Sequence, residues 1–339
     1  MSAPIGACGI KTASQNTSSE DAHLTTGAVN TVVFEFGNAI CYSGYREGQS
    51  PIHQSYPSYD QIREDLLIIA KNWRYIRIYD SGPHAETTLS VIRDEKLELQ
   101  VMLGAGLEAE ASNPGCPWGG QYDSETLAAN RRANQKEVER LIGLALAFKR
   151  QIFAVSVGNE ASVDWTDHLV PTETLIDYVQ QIKRHVAKPI TFCENYVPWT
   201  QKLDSLAATL DFISIHTYPV WEYRSIHDAL EYTKQNYYSV RDRYPEKPVV
   251  ITEAGWTTSA NGRGIDPHNA SEELQAAYYG MLMEWTSAEK ILTFVFEAFD
   301  EPWKGSSDPQ EPEKHWGLFK VDRTPKLVMR DQYAELVSQ

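Results

Sequence analysis

The chain has 339 residues and a formal net charge of −15, enough polypeptide for one large α/β domain or two smaller ones. That acidity excludes nucleic acid and anionic membranes as natural partners, because phosphate-rich surfaces repel such a protein, and it fits plain solubility with a neutral ligand. No run approaches the ~18 apolar residues that a membrane helix needs, so no membrane insertion is expected.

In chain order, residues 1–30 are rich in Ser, Thr, Ala and Gly, show no period, and read as a loosely ordered arm. Its start, Met1-Ser-Ala-Pro-Ile-Gly-Ala-Cys8, lacks the basic and long apolar regions of a signal peptide. Two localisations stay open: cytoplasmic, or secreted, periplasmic or surface-attached if a leader has been removed. From residue 31 to 339 strand and helix patterns alternate. Thr31 to Ser43 is strand-like, and a Gly/Pro/Ser loop reaches Ser58. Tyr59 to Asn72 places Ile62, Leu66, Ile69 and Ala70 on one helical face. Tyr75 to Asp80 is the second strand, a helix follows near 84–95, and Leu97 to Leu107 is the third strand. A loop to about 123 and a long helix to about 149 lead to the fourth strand, Ile152 to Glu160. Thr172 to Val186 is a helix, Ile190 to Asn195 the fifth strand, and a short helix precedes the sixth strand, Phe212 to Pro219. Ile226 to Arg243 is helical, Val249 to Trp256 is the seventh strand, Ser271 to Trp285 a helix, and Thr293 to Asp300 the eighth strand. The tail near 325–337 reads as a last helix.

Eight strands alternating with helices, without a break in composition, predict a single-domain (β/α)8 barrel over residues 31–339. A doubly wound open sheet is the rival, but no GxGxxG or Walker pattern follows any strand. Barrel strands deliver their C-terminal residues into one bowl. Strand one delivers Tyr42, strand two Arg77, Tyr79 and Asp80, strand four Asn159 and Glu160, and strand five Glu194 and Asn195. Strand six adds His216 and Tyr218, strand seven Glu253 and Trp256, and strand eight Glu297, Asp300, Glu301, Trp303 and Lys304. Carboxylates mixed with aromatic rings suit a sugar, whose C–H faces lie on Trp or Tyr and whose hydroxyls need donors and acceptors. Trp118, Trp199, Trp221, Trp256 and Trp303 are the candidate platforms. Glu160 and Glu253, each closing an apolar β-branched run, form a candidate acid and nucleophile for breaking a glycosidic bond. Arg77 and Lys304 would balance their charge, Asn159 would hold a sugar hydroxyl near the bond being broken, and Tyr218 would keep a nucleophilic carboxylate ionised. Nine scattered His residues form no metal-ligand pattern, and His216 reads as shaping the pocket. There is no GxSxG elbow. Cys8, Cys41, Cys116 and Cys193 lack metal-site spacing, Cys41 and Cys193 reading as core. No metal and no cofactor is expected.

Several segments together resemble glycoside hydrolase family 17, the β-1,3-glucanases and related glucanosyltransferases. They are Arg77-Ile-Tyr79-Asp80, Val157-Gly158-Asn159-Glu160, His216-Thr-Tyr218-Pro219, Thr252-Glu253-Ala-Gly-Trp256, Phe296-Glu297-Ala-Phe-Asp300-Glu301-Pro-Trp303-Lys304 and Glu313-Lys-His-Trp-Gly-Leu-Phe319. The likeness runs from about Phe34 to Lys326 and looks closest to the bacterial branch. It implies a retaining, endo-acting enzyme on laminarin-type β-1,3-glucan, with Glu160 as acid/base and Glu253 as nucleophile. It also implies that Glu301, Lys304 and Glu313 support the site. Pro302-Trp303 departs from the polar residues of the plant pattern, so sugar contacts there are expected to differ. Two carboxyls of a retaining pair should stand roughly 5–5.5 Å apart. A monomer acting on poly- or oligosaccharide is expected. The same residues would serve transfer to a sugar hydroxyl instead of water. A non-catalytic carbohydrate-binding barrel is the remaining alternative, against which the presence of both glutamates argues.

Overall fold

β-branched and apolar runs become strands here because both of their faces are covered. The computed structural model describes residues 32–337, so the arm expected over residues 1–30, and Cys8 within it, lie outside the described residues. The strands are β1 (Ala39–Cys41), β2 (Tyr75–Ile78), β3 (Gln100–Gly104), β4 (Ile152–Asn159), β5 (Ile190–Asn195), β6 (Ile213–Thr217), β7 (Val249–Ala254) and β8 (Thr293–Val295). Each is parallel to the next and β8 returns to β1, closing the barrel. The expected (β/α)8 architecture is therefore the observed one.

Among the described residues eight α-helices surround the strands: α1 (Tyr59–Ile69), α2 (Pro83–Asp94), α3 (Ser124–Ala147), α4 (Thr172–Lys183), α5 (Tyr196–Gln201), α6 (Asp204–Thr209), α7 (Ile226–Arg243) and α8 (Glu272–Glu289). Their starts follow local chemistry. Ser58 and Gln61 form a reciprocal cap on α1, and the side chains of Asp123 and Ser271 accept first-turn N–H groups of α3 and α8. At the N-terminal mouth, Phe34 stands edge-on to Phe153 and Phe212, beside a cavity of about 300 Å³ lined also by Val32, Arg74 and Tyr75; the strand-end carboxylates lie at the opposite end.

Several elements differ from expectation. The third strand ladders only over Gln100–Gly104, and the single short helix expected before β6 is two, α5 and α6. The first strand ladders only over Ala39–Cys41. The eighth stops at Val295. Beyond it the chain leaves the barrel wall: Ala298 N–H donates to Cys41 O, Leu318 N–H to Glu297 O and Phe319 N–H to Ala298 O. Residues 296–300 thus pair with the return segment 316–319. The tail is not an α-helix. It makes two 3-10 turns, Leu327–Met329 and Ala334–Leu336, because its anchors pull in different directions. Leu327 N–H bonds Glu272 on α8, whereas Tyr333 Oη bonds Ile68 O on α1. Tertiary contacts there override helical spacing.

Candidate active site

Two irregularities aim the central side chains. Between Ser156 and Asn159 β4 advances three residues while β5 advances from Thr191 to Cys193. This bulge turns Asn159 inward. It needs Gly158 at φ +91°, where an added Cβ would lie 3.1 Å from Leu107 and 3.2 Å from Phe192. Glu160 follows at φ +45°, an uncommon conformation for a residue with a side chain. β7 likewise carries one extra residue between Ile251 and Glu253 relative to Ile215–His216 of β6, and Glu253 faces the bowl.

Glu253 sits in a dense set of donors. Arg77 Nη1 donates to its Oε1 at 2.5 Å and Tyr79 Oη at 3.1 Å, while Tyr218 Oη donates to Oε2 at 2.5 Å. Burial alone would raise this carboxyl. The His216 imidazolium and the Arg77 guanidinium, with the Tyr218 and Arg77 hydrogen bonds, outweigh burial and hold it at about 2. His216 stands between the two glutamates, with Nδ1 2.8 Å from Glu160 Oε1 and 3.5 Å from Glu253 Oε2. Burial would lower its pKa, but Glu253, the hydrogen bonds to Cys193 and Glu160, and the charge of Glu160 raise it to about 10. Arg77 Nη2 also bonds Asn159 Oδ1, and its guanidinium lies over the Tyr79 ring at 4.3 Å. The Glu160 side chain is 29% exposed against 7% for Glu253, so one carboxyl faces solvent and the other does not.

Donor atoms of Glu160, His216 and Glu253 all lie within 4.8 Å of one another. Oxygens that close lie below the roughly 6.5–9.5 Å that separates the carboxyls of inverting pairs and nearer the roughly 5–5.5 Å of retaining ones. The same three groups are the trio among the described residues whose donors converge enough for a metal. The charge carried by His216 opposes that use, since a ligating imidazole must be neutral.

Around this centre lies a second charged group. Lys304 Nζ bonds both oxygens of Glu297, at 2.8 and 2.6 Å, and lies 2.9 Å from Glu301. Glu301 also accepts from Tyr45 N–H at 3.0 Å. Lys304 therefore balances Glu297 and Glu301, and the central cations are Arg77 and His216. Glu313 is half-buried. Burial pushes it up to about 7, helped by the charges of Glu160 and Glu253 against the pull of Lys304.

Arg77, Tyr79, Asn159, Glu160, Tyr218 and Glu253 come together as expected, with Glu297, Glu301, Lys304 and Glu313 beside them. Three expected contacts do not. Tyr42 is fully buried and turns outward, its Oη 3.3 Å from Asp65 on α1. Trp199 is fully buried on α5, donating Nε1 to Ser214 O and packing on Phe192 and Tyr244. Trp256 is buried against Tyr278 with Nε1 on Asn269 O. Each ring fills the space between barrel and helices, where apolar area is worth most. Trp118 is 66% exposed on the β3–α3 loop, Trp221 half-buried after β6, and Trp303 half-buried beside Tyr45. His216 was underrated: it shares a strand face with Tyr218 two residues on, and that alternation is the signal for it. Trp316, its ring centroid 5.1 Å from Tyr218, also backs the site.

A family model described as BtgE/BtgC glycoside hydrolase domain matches residues 39–317. A putative glucan endo-1,3-beta-glucosidase btgC of Aspergillus niger is 27% identical over 303 residues, covering 82% of this chain and 41% of that protein. The chain thus spans about 41% of the length of these curated relatives. Among solved structures, an endo-laminarinase from Formosa Hel1_33_131 superposes with a TM-score of 0.77 at 28% identity, covering 88% of this chain and 87% of that one. A Rhizomucor miehei glycoside hydrolase family 17 beta-1,3-glucanosyltransferase shares the fold, with a TM-score of 0.66 at 20% identity over 86% of this chain and 96% of that one.

Proposed function

Since the chain belongs to the BtgE/BtgC glycoside hydrolase domain family, we propose that it cleaves laminarin-type β-1,3-glucan internally and with retention of anomeric configuration. The observation that carries this reading is the pair Glu160 and Glu253, with a carboxyl oxygen of each within 4.8 Å across one bowl, Glu253 being held ionised by His216, Arg77 and Tyr218 and Glu160 being the more exposed of the two. The laminarinase likeness supports the choice of glucan.

In this reading Glu253 attacks the anomeric carbon while Glu160 gives its proton to the departing sugar oxygen. The bond to Glu253 forms as the glycosidic bond breaks, leaving a glycosyl-enzyme. Glu160, now a carboxylate, takes a proton from water, whose oxygen displaces Glu253. Arg77, Tyr79 and Tyr218 spread the charge that Glu253 carries before attack and regains on release. Asn159, oriented by Arg77, is offered as the contact to a ring hydroxyl beside the reacting carbon. Trp118, Trp221 and Trp303, on loops after the strands, are offered as contacts to sugars farther along the chain. Glu297, Glu301, Lys304 and Glu313 are offered as a charged group supporting the site.

The test is a digestion panel of laminarin, mixed-linkage glucan and cellulose with products sized over time. Laminarin should give mixed oligosaccharides early. Glu253→Gln should cut turnover to less than about one-thousandth of wild type while oligosaccharide binding stays measurable. Wild-type laminarin activity in that variant would sink the assignment. Products longer than the substrate at high oligosaccharide concentration would make the enzyme a transferase using the same residues.

A further inference from the structure

One buried carboxylate outside the reacting centre has no partner of opposite charge and yet is fully satisfied. Glu194, on β5, is 0% exposed. Its Oε2 accepts two hydrogen bonds from one residue, Ser162, from N–H at 2.9 Å and from Oγ–H at 2.7 Å. Its Oε1 accepts from the N–H of Asn195 at 2.7 Å. Burying a carboxylate is costly unless donors replace water. A cross-strand tie of this kind at Ser162, two residues past Glu160, therefore has a local purpose.

That purpose is visible in the backbone. The chain leaves β4 through Gly158 at φ +91° and Glu160 at φ +45°. A residue such as Glu in the left-handed region persists only where its surroundings over-determine it. Glu160 N–H is held by Cys193 O at 2.9 Å on the N-terminal side, and Glu194 holds Ser162 on the C-terminal side. Both tethers come from adjacent residues of β5. Between them they fix the direction in which the Glu160 side chain leaves the backbone, toward His216 at 2.8 Å. Burial, with the charge of Glu160 nearby, pushes the Glu194 carboxyl up to about 7, a further sign that the two groups are close.

We propose that Glu194 is a positioning residue that, through Ser162, holds Glu160 in its left-handed turn so that the Glu160 carboxyl reaches the leaving-group oxygen. Glu194 touches no substrate. The inference rests on the acid/base reading of Glu160 and deepens it.

Leaving-group dependence provides the test. A glucose hydroxyl departing from laminarin needs the Glu160 proton, whereas a dinitrophenolate departing from dinitrophenyl β-laminaribioside does not. The quantity to compare is kcat/KM, which reports steps only up to glycosyl-enzyme formation. Glu194→Ala should lower kcat/KM on laminarin by about 10- to 100-fold, the scale of a misplacement of about 1 Å, and by less than about 3-fold on the dinitrophenyl substrate. Glu194→Gln, which keeps one acceptor oxygen, should fall between this and wild type. Equal losses on both substrates, or no loss on laminarin, would overturn the proposal. If Glu194→Ala does not fold, Ser162→Ala decides: the same asymmetry in smaller degree supports it and a symmetric effect removes it. Failure of the underlying reading looks different, because wild type would then leave laminarin intact, or Glu160→Ala would lose both substrates alike.

Discussion

The charge on His216 decides how acidic a medium Glu253 tolerates. Against the upward push of burial, the imidazolium charge lowers this carboxyl together with the charge and hydrogen bond of Arg77 and the hydrogen bond of Tyr218. The native carboxyl sits at about 2 against 4.5 for a free one, so this stabilisation is present above pH 4.5 and lost as pH falls toward 2. Removing the positive charge moves the carboxyl upward. His216→Ala should therefore shift the acid limb of the kcat/KM profile on laminarin to higher pH. An acid limb that stays in place would show that Arg77 alone sets the charge state. Tyr218→Phe removes one strong donor and keeps the ring packed on Trp316. It should cost about 10- to 100-fold in kcat/KM, since Glu253 loses a donor to its charge, and the unmatched buried acceptor should lower stability by about 1–3 kcal/mol. At this scale the sequence was informative where alternation applies. Arg77 and Tyr79, like His216 and Tyr218, sit two apart and share the inner face. Trp199, Trp256 and Tyr42 misled, because residue type records that a ring wants burial, not which side of the wall it fills.

Elements were legible in so far as hydrophobic period defines them. β5 and α7 have the very limits that period suggests, Ile190–Asn195 and Ile226–Arg243. The bulges in β4 and β7 were not legible, since an extra residue in one strand changes no composition and depends on its neighbours' register. Gly158 was the only local hint. Its φ of +91° and the close approach of Leu107 and Phe192 make Gly158→Ala a test of the bulge. The new methyl strains the backbone by about 1–3 kcal/mol and displaces Asn159 and Glu160 together. Expected is a fall in kcat/KM on both laminarin and an activated aryl glycoside, since Asn159 and Arg77 are moved along with the acid. A variant impaired only on laminarin would mean that the bulge serves Glu160 alone.

At the scale of the whole molecule, eight repeated units could be read from the chain, but the means by which the last segment closes on the first could not. It depends on pairs more than 250 residues apart. Arg323, at φ +70°, places Nε 2.6 Å from Asp65 Oδ1 and Nη2 2.6 Å from Oδ2 on α1, with both side chains buried. Nη2 also bonds Gly44 O at 2.9 Å. The fork therefore joins the β1–α1 loop, α1 and the segment after β8. Nearby, buried Lys326 bonds Asp300, Thr258 and His315 O, tying the same segment to the loops after β7 and β8. Opposite charges that are both out of water gain little net stability as a pair, but removing one leaves the other short of partners; Asp65 would keep only Arg46, 3.0 Å from its Oδ1 and partly exposed, and Tyr42. Arg323→Met should thus cost about 1–3 kcal/mol in denaturant unfolding, while kcat at 25 °C stays near wild type, because no residue that contacts Glu160 or Glu253 is touched. Adding Asp65→Asn to Arg323→Met should recover much of the loss, since the double variant leaves no buried charge opposite Tyr42. If the two losses simply add, the ion pair is not what holds the segment, and the aromatic packing of Tyr333 on Trp73 and Phe319 becomes the closing contact to test.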